Sequence, residues 1–204
     1  MKVDSPQIQV AVRKLSKTDP VLGNVIRAVG PFTLKPKRGG YQMLVRSILS
    51  QQISTSAATT IRQRLEGLLP GGILSAEEIA KLTDSQLQAV GISKQKQGYI
   101  RDLTERTLDG SLNYRRLARR DDEDAIAELI QVRGIGRWTA QMYLMFCLGR
   151  PDLFPVDDLG IQNAMKPLYG LPQKPERARM EEIAIVWAPF RTVASWYLWR
   201  SLDL

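Results

Sequence analysis

Two short stretches of the chain carry residue types that could do chemistry. The first, FPVDD from Phe154 to Asp158, ends in two adjacent carboxylates. The second, VRGIGRW from Val132 to Trp138, places two glycines among basic and aromatic side chains. A fixed carboxylate can stabilise a developing positive charge or orient a water molecule. Backbone amides in a glycine turn can bind an anion, so the chain has candidates for both tasks.

The residue types that the chain lacks exclude several other mechanisms. Its 204 residues include no histidine and one cysteine, Cys147. A Ser-His-Asp arrangement, a histidine-ligated zinc site and a cysteine-ligated iron-sulfur cluster are therefore excluded. Cys147 lies in the apolar run YLMFCLG, and we interpret it as a core residue rather than a nucleophile. We expect a reaction that requires no cofactor.

The charge of the chain favours a polyanionic partner. Lysine and arginine total 29 against 21 acids, which gives a formal net charge of +8 at pH 7. Such a charge favours nucleic acid, although charge alone does not identify a ligand. No stretch approaches the roughly 18 apolar residues of a membrane span, and the N-terminus lacks the apolar core of a signal peptide. We therefore expect a soluble, cytoplasmic protein without membrane association.

Helical spacing of apolar residues extends along most of the chain. Apolar side chains recur at intervals of three to four, as at Ile8, Val12 and Leu15, whereas strand-like alternation does not persist. SAEE, TDSQ and DDED are typical of helix starts, and glycines such as Gly30 and Gly170 are typical of helix ends. The pattern predicts an all-α fold of about ten to twelve short helices.

The glycine pair admits two interpretations. An amphipathic run before it and the apolar run from Arg137 to Leu148 predict two helices with Gly134 and Gly136 between them. Glycines without a Cβ can simply close a tight turn between helices. They can also leave backbone amides accessible to a phosphate, with Arg133 and Arg137 adding positive charge. The residue types alone leave both interpretations open.

The carboxylate pair also has a structural interpretation. Asp157 and Asp158 follow Pro155 where an apolar stripe beginning at Ile161 predicts a new helix, and aspartate is common at the N-cap. The two carboxylates flank that stripe on opposite sides, so periodicity does not choose between them. Asp157 lies one residue earlier and is the better candidate for the N-cap.

Several motifs together resemble those of the helix-hairpin-helix (HhH-GPD) DNA glycosylases, and most closely the bacterial DNA-3-methyladenine glycosylase II group. VRGIGRWTA is similar to the superfamily's hairpin pattern LPG(I/V)GxxTA, and FPVDDLGIQNAM to the loop that leads to its catalytic aspartate. RSILSQQISTSAA, GISKQK and WAPFRTVASWYLW are further matches. The resemblance covers about residues 38 to 202, and the hairpin with an aspartate at this spacing is a specific signal.

The resemblance implies two helical subdomains that flank a DNA-binding cleft, with the hairpin at its mouth. Residues 39–144 would form the central subdomain and end in the helix-hairpin-helix motif. Residues 1–38 would pack with residues 145–204, which carry the catalytic aspartate and complete the second subdomain. The N-terminal residues do not resemble the β-domain that some relatives carry, so we expect a minimal, monomeric form.

The implied activity is that of a base excision repair glycosylase acting on double-stranded DNA. It would hydrolyse the N-glycosidic bond of alkylated bases such as 3-methyladenine and 7-methylguanine. Bifunctional members carry a lysine nucleophile where this chain has Trp138, and an indole cannot form a Schiff base, so we expect no strand cleavage. Two alternatives remain: a glycosylase of the same superfamily for oxidised, deaminated or mismatched bases, and a non-catalytic DNA-binding module.

Residue by residue, the resemblance assigns the catalytic role to Asp158, since it precedes the isoleucine of the following helix by three positions. Asp157 is then the supporting acid. A cationic base gains from stacking on an indole, which an undamaged base does not. Core packing is the alternative for Trp138, and Met142 stands where well-known members carry an aromatic residue, which leaves the lesion preference open. The predicted base pocket consists of Trp138, Met142 and Trp199.

The resemblance also predicts how DNA is held. Gln52 with its neighbour Ile53 would be the wedge that fills the gap left by an extruded nucleotide, although SQQISTS is equally typical of a capping turn. Carbonyl groups of Arg133 and Gly136 would hold a monovalent cation such as Na⁺ or K⁺. The predicted contacts with the DNA backbone come from Arg133, Gly134, Ile135, Gly136, Arg137, Lys94 and Lys96.

Overall fold

The structure is a computed structural model that describes residues 6–204. Thirteen α-helices and no strand occur in this range, so the predicted all-α fold is confirmed. No helix within it is long and apolar enough to cross a membrane. The helices are α1 (Pro6–Thr18), α2 (Pro20–Val29), α3 (Gly40–Ser50), α4 (Thr55–Gly67), α5 (Ala76–Lys81), α6 (Asp84–Ala89), α7 (Lys94–Leu108), α8 (Tyr114–Leu117), α9 (Asp122–Leu129), α10 (Arg137–Tyr143), α11 (Leu159–Leu168), α12 (Arg177–Ala184) and α13 (Arg191–Ser201).

The helices are more numerous than the apolar spacing predicts. α5 and α6 contain 6 residues each and α8 contains 4, which is too short for a helical period to be visible in the sequence. The apolar run that begins at Arg137 is also not one α-helix. It continues after α10 as a π-helical turn, Leu144–Leu148.

The chain divides into two compact units. The central unit is Arg38–Tyr143 and contains α3 to α10. Of the residues that the structure describes, the terminal unit consists of 6–37 together with Leu144–Leu204, and it contains α1, α2 and α11 to α13. The non-helical residues 30–39 lead into the central unit, and the π-helical turn after α10 opens the second part of the terminal unit.

In the central unit, α3 packs against α4, α7 and α10, α5 packs against α7, and α9 packs against α10. A buried hydrogen bond between Tyr41 Oη and Thr104 Oγ1, 2.7 Å long, joins α3 to α7. These contacts fix the positions of the segment after α3, the start of α7, and the turn between α9 and α10.

In the terminal unit, α2 packs between α1 and α13, and α11 packs on α13. The core of this unit contains the fully buried side chains of Leu15, Leu22, Trp187 and Tyr197. Helices from the first 30 residues therefore share one apolar core with helices from the last 50. Burying this apolar surface is the main force that holds the two ends of the chain in one unit.

A single buried carboxylate joins the ends of the chain within this core. Asp19 caps α2 by accepting a hydrogen bond from the Leu22 N–H at 3.0 Å. Its other oxygen accepts from Tyr169 Oη at 2.6 Å and from Trp187 Nε1 at 2.7 Å. Burial, and then the hydrogen bond to Asp19, raise the pKa of Tyr169. One carboxylate satisfies all three donors, and no local pattern in the sequence connects it to the two distant ones, Tyr169 and Trp187.

Removing that carboxylate should destabilise the protein strongly. Asp19→Ala leaves the indole N–H of Trp187 and the hydroxyl of Tyr169 without their acceptor and removes a helix cap. We expect the free energy of unfolding to fall by about 3 kcal/mol or more, measured by chemical denaturation. Asp203→Ala is the control, because it removes only an exposed pair with Arg200 and should cost less than about 1 kcal/mol. Equal losses in the two variants would contradict this role of Asp19.

Candidate active site

The structure places Asp158, and not Asp157, at the N-cap of α11. The Asp158 backbone is extended, and its Oδ1 accepts a hydrogen bond from the Ile161 N–H at 2.9 Å. Asp157 is exposed, and its carboxylate pairs with Arg177 Nη2 at 2.7 Å. The predicted N-cap at Asp157 is therefore wrong. The Asp158 N–H donates a hydrogen bond to the Pro155 carbonyl at 2.9 Å and so forms a turn before the helix. Because of this turn, the helix begins one residue later than predicted.

The Asp158 carboxylate is fixed from two directions. Besides the helix N-terminus, Oδ1 accepts a hydrogen bond from Trp199 Nε1 on α13 at 2.8 Å. The residue is 8% exposed, so its carboxylate is nearly withdrawn from solvent. A Cβ on Gly160 would lie 3.0 Å from Asp158 Oδ1 and 3.1 Å from Trp199 Cδ1, so a larger residue there would require this pair to shift by a few tenths of an ångström. Sequence analysis predicts both residues but not the bond between them.

The turn between α9 and α10 uses its two glycines for different reasons. Gly134 has φ +80°, and a Cβ there would lie 2.2 Å from Cδ2 of Tyr99 on α7. Gly136 would meet nothing within 4 Å if it carried a Cβ. The fold therefore requires a glycine at position 134, whereas the space in front of Gly136 is open. Ile135, between them, is buried and anchors the turn.

The turn is also tied to two other segments of the central unit. The Arg133 N–H donates to Asp102 Oδ2 on α7 at 2.8 Å. The Gly134 carbonyl accepts from Gln51 Nε2 at 2.8 Å, just after α3. Neither Gln51 nor Asp102 is a predicted site residue. Both contacts join positions that are far apart in sequence, so no local sequence pattern predicts them.

The predicted wedge residues lie on this same segment. Gln52 has φ +57°, the left-handed conformation that non-glycine residues rarely adopt. Ile53 is 38% exposed. Ser54 caps α4 by accepting from the Ala57 N–H at 3.2 Å. The capping turn and an exposed Gln52–Ile53 pair are therefore both present, and they are not mutually exclusive.

The predicted basic contacts differ in how they are engaged. Lys94 is exposed at the first turn of α7 and the Arg133 side chain is exposed. Arg137 forms a two-bond ion pair with Glu123, which lowers the pKa of that carboxyl. Lys96 donates from Nζ to the Leu49 carbonyl at 2.7 Å, and partial burial lowers its pKa.

The three predicted pocket residues lie in different settings. Trp138, in the central unit, is 42% exposed, which excludes the core-packing interpretation of its side chain. Met142, one turn later, is 5% exposed. Trp199, in the terminal unit, is half-buried, and its ring centroid lies 5.8 Å from that of Phe146.

Partial burial raises the pKa of the Cys147 thiol to about 11, which makes it a poor nucleophile.

Comparison with known proteins identifies the family. Residues 45–189 match the HhH-GPD superfamily of base excision DNA repair proteins. DNA-3-methyladenine glycosylase 1 of Schizosaccharomyces pombe is 34% identical over 195 residues, which are 93% of this chain and 86% of that protein. The chain therefore belongs to the HhH-GPD superfamily of base excision DNA repair proteins.

Two solved structures resemble the whole chain. The 3-methyladenine DNA glycosylase Mag1 of S. pombe, in complex with abasic DNA, has a TM-score of 0.86 and 33% identity, covering 95% of this chain and 97% of its own. The DNA-3-methyladenine glycosidase of Bacillus halodurans also has a TM-score of 0.86, with 35% identity and coverage of 98% and 91%. The likeness extends well beyond the hairpin.

The two hairpin glycines should respond differently to alanine. Gly134→Ala drives a Cβ into the Tyr99 ring at a positive φ, so we expect the free energy of unfolding to fall by about 2 kcal/mol or more. Gly136→Ala meets open space and should change it by less than about 1 kcal/mol. Urea denaturation of the two variants compares these values. Similar losses at both positions would show that the turn does not distinguish its glycines in this way.

Proposed function

We propose that this chain is a monofunctional DNA glycosylase that hydrolyses the N-glycosidic bond of alkylated bases, such as 3-methyladenine and 7-methylguanine, in double-stranded DNA. The observation that carries the proposal is the Asp158 carboxylate, held by the N-terminus of α11 and by Trp199 Nε1. The relatives named above support it. One of them was solved with abasic DNA, the product that such a reaction leaves.

The proposed reaction uses this carboxylate electrostatically. As the bond between C1′ and the base breaks, the electron pair leaves with the base and the sugar acquires oxocarbenium character. A fixed anion stabilises that charge, and a water molecule then adds to C1′ and gives up its proton. A base methylated at N3 or N7 already carries a positive charge, so it leaves as a neutral molecule without protonation. The absence of histidine from the chain is compatible with this chemistry.

We propose a base-binding role for each of the three predicted pocket residues, Trp138, Met142 and Trp199. An indole face attracts a cationic base by roughly 0.5–2 kcal/mol relative to a neutral one, which favours alkylated over normal bases. The Trp199 ring is held by its bond to Asp158, so it would be preorganised for stacking. Trp138 occupies the position of the lysine nucleophile in bifunctional members, so the expected product is an intact strand with an abasic site.

The hairpin is the proposed site of DNA backbone binding. Open space at Gly136 allows a phosphate to approach the backbone of Ile135, Gly136 and Arg137. Exposed Arg133 and Lys94 add positive charge. The pair between Arg137 and Glu123 is at the surface, where ion pairs contribute little, so a phosphate can replace Glu123 as partner. Lys96 would contribute less, because its Nζ is engaged with Leu49.

Gln52 and Ile53 are the proposed wedge. They lie between the last residue of α3 and the cap of α4, and the exposed side chain of Ile53 is suited to filling an apolar gap in the base stack. The bond from Gln51 to Gly134 would connect wedge and hairpin, so the two would contact DNA in a fixed register.

A monovalent cation at the hairpin fits the donors present there. Within residues 6–204, no group of three or more carboxylate, thiolate or imidazole side chains could hold a metal ion. Backbone oxygens are the alternative. The Gly136 carbonyl accepts one hydrogen bond from the Ala140 N–H at 3.0 Å and keeps a second lone pair. We propose that this oxygen and that of Arg133 hold Na⁺ or K⁺, which would add positive charge beside a DNA phosphate.

The proposal also includes the oligomeric state and the cellular location of the protein. We expect the protein to act as a monomer, because hydrolysis needs one carboxylate and one base pocket from a single chain. We expect it in the cytoplasm, associated with nucleoid DNA when it acts. Light scattering of the purified protein, alone and with a short duplex, measures the stoichiometry.

The activity and the carboxylate are tested together. The wild type should release bases from DNA methylated at N3 and N7 and leave heat-labile abasic sites. Asp158→Asn keeps one amide oxygen that can accept the two hydrogen bonds of Oδ1 but loses the charge, so single-turnover excision should fall by about 100-fold or more while lesion binding and the melting temperature are retained. Asp157→Asn is the matched control and should stay within about threefold, since Asp157 contacts Arg177 at the surface.

Four outcomes would contradict parts of the proposal. Equal activity in both variants would remove the role of the Asp158 carboxylate, and a greater loss in Asp157→Asn would move the role to Asp157. A covalent adduct trapped by borohydride would require an amine nucleophile, which the monofunctional mechanism lacks. Bound but uncut methylated DNA would leave only a DNA-binding module.

A further inference from the structure

Helix α13, which carries Trp199, begins without a capping side chain of its own. Its N-cap is Phe190, and no side chain at that position accepts a hydrogen bond from the first turn. The first two N–H groups bond instead to the loop before Asp158. The Arg191 N–H donates to Asp152 Oδ1 at 3.1 Å, and the Thr192 N–H donates to the Pro151 carbonyl at 3.0 Å. The loop therefore supplies the cap of α13.

An ion pair reinforces this junction. Arg191 Nε donates to Asp152 Oδ1 at 2.8 Å and Nη2 donates to Oδ2 at 2.7 Å. A two-bond arginine–carboxylate pair fixes orientation as well as distance. The Asp152 carboxylate also lies at the positive end of α13. Asp152 is thus held by a side chain and a backbone group of the same helix.

The hydroxyl of Thr192 completes the junction from inside the protein. Thr192 is 1% exposed. Its Oγ1 donates to the Arg150 carbonyl at 2.7 Å and accepts from the Leu153 N–H at 3.0 Å. With its own N–H on Pro151, one threonine makes three hydrogen bonds to three residues of the loop, Arg150, Pro151 and Leu153. Loss of the hydroxyl would leave the buried Leu153 N–H without this acceptor and would remove the bond to the Arg150 carbonyl.

The far end of the same loop is tied to the same helix. Asp158, where the loop ends, bonds to Trp199, which lies on α13 about 10 Å further along the helix axis than Thr192. Gln162, on α11, donates a hydrogen bond from Nε2 to the Val156 carbonyl of the loop at 2.9 Å. The loop is thus attached to α13 at both ends, and a helix changes length little, so the attachment near Thr192 restrains where Asp158 can lie.

We infer that Thr192, together with the Arg191–Asp152 pair, is a positioning element for the Asp158 carboxylate. This inference rests on the proposed function. None of these side chains needs to touch DNA. Their effect is on the placement of the anion relative to the sugar, and a misplacement of about 1 Å can slow an enzymatic step roughly 100-fold. The expected signature is a slower chemical step with unchanged DNA binding.

A matched pair of variants isolates the hydroxyl. Thr192→Val keeps the size and branching of the side chain but removes both Oγ1 hydrogen bonds, whereas Thr192→Ser keeps the hydroxyl. We expect Thr192→Val to lower single-turnover excision of 7-methylguanine by about tenfold or more, and Thr192→Ser to stay within about threefold of wild type. Affinity for a duplex with a tetrahydrofuran abasic analogue should stay within about threefold in both.

A second pair of variants separates positioning from stability. Leu15→Ala leaves a cavity in the core of the same unit, so it should lower the melting temperature without slowing excision at 25 °C. Asp152→Asn, which breaks the ion pair, should slow excision as Thr192→Val does, and it serves if Thr192→Val fails to fold. Undiminished excision by folded Thr192→Val or Asp152→Asn, with an active wild type, would overturn the inference alone. A wild type that releases no methylated base would overturn the proposed function and this inference with it.

Discussion

The structure of the site depends on one oxygen atom, Oδ1 of Asp158, which accepts hydrogen bonds from a helix N-terminus and from an indole. The first bond comes from α11 and the second from α13, so the carboxylate lies where two packed helices converge. A side chain that caps a helix is usually structural. Here the cap also holds a nearly buried negative charge in one orientation, and this is what stabilisation of a developing sugar cation requires. The proposal thus combines a structural and a chemical role in one residue, and it implies that the two adjacent aspartates are not interchangeable.

The tasks proposed for binding and for chemistry depend on different parts of the chain. The central unit supplies the glycine turn and the segment after α3, which a bond from Gln51 to the Gly134 carbonyl joins to each other. The terminal unit supplies the carboxylate and the helix that holds it. The hairpin carbonyl of Gly134 and the Asp158 carboxylate are each fixed by neighbouring residues, as expected where preorganisation rather than a strong acid or base is needed. An alkylated base is already activated for departure, so such a site can dispense with histidine.

Local patterns in the sequence predict the secondary structure and the position of the hairpin. The helical spacing predicts the all-α fold, and the glycine pair predicts the hairpin, because both depend on residues close together in the chain. The N-cap at α11 was predicted one residue early, since periodicity cannot detect the turn that Pro155 closes before the helix. The bonds of Asp19 to Tyr169 and Trp187, and of Thr192 to the loop before Asp158, join residues far apart in sequence. Buried polar contacts of this kind need the folded chain to be seen. The roles assigned to the site residues remain predictions.

The central claim is that Asp158 acts as a fixed negative charge facing the sugar. It is tested most directly by the affinity for two duplexes that differ only in the abasic-site analogue, a cationic pyrrolidine or a neutral tetrahydrofuran. The wild type should bind the cationic duplex at least about tenfold more tightly at moderate salt, and Asp158→Asn should lose this preference. Equal affinity of the wild type for both duplexes, or an unchanged preference in the variant, would contradict the claim.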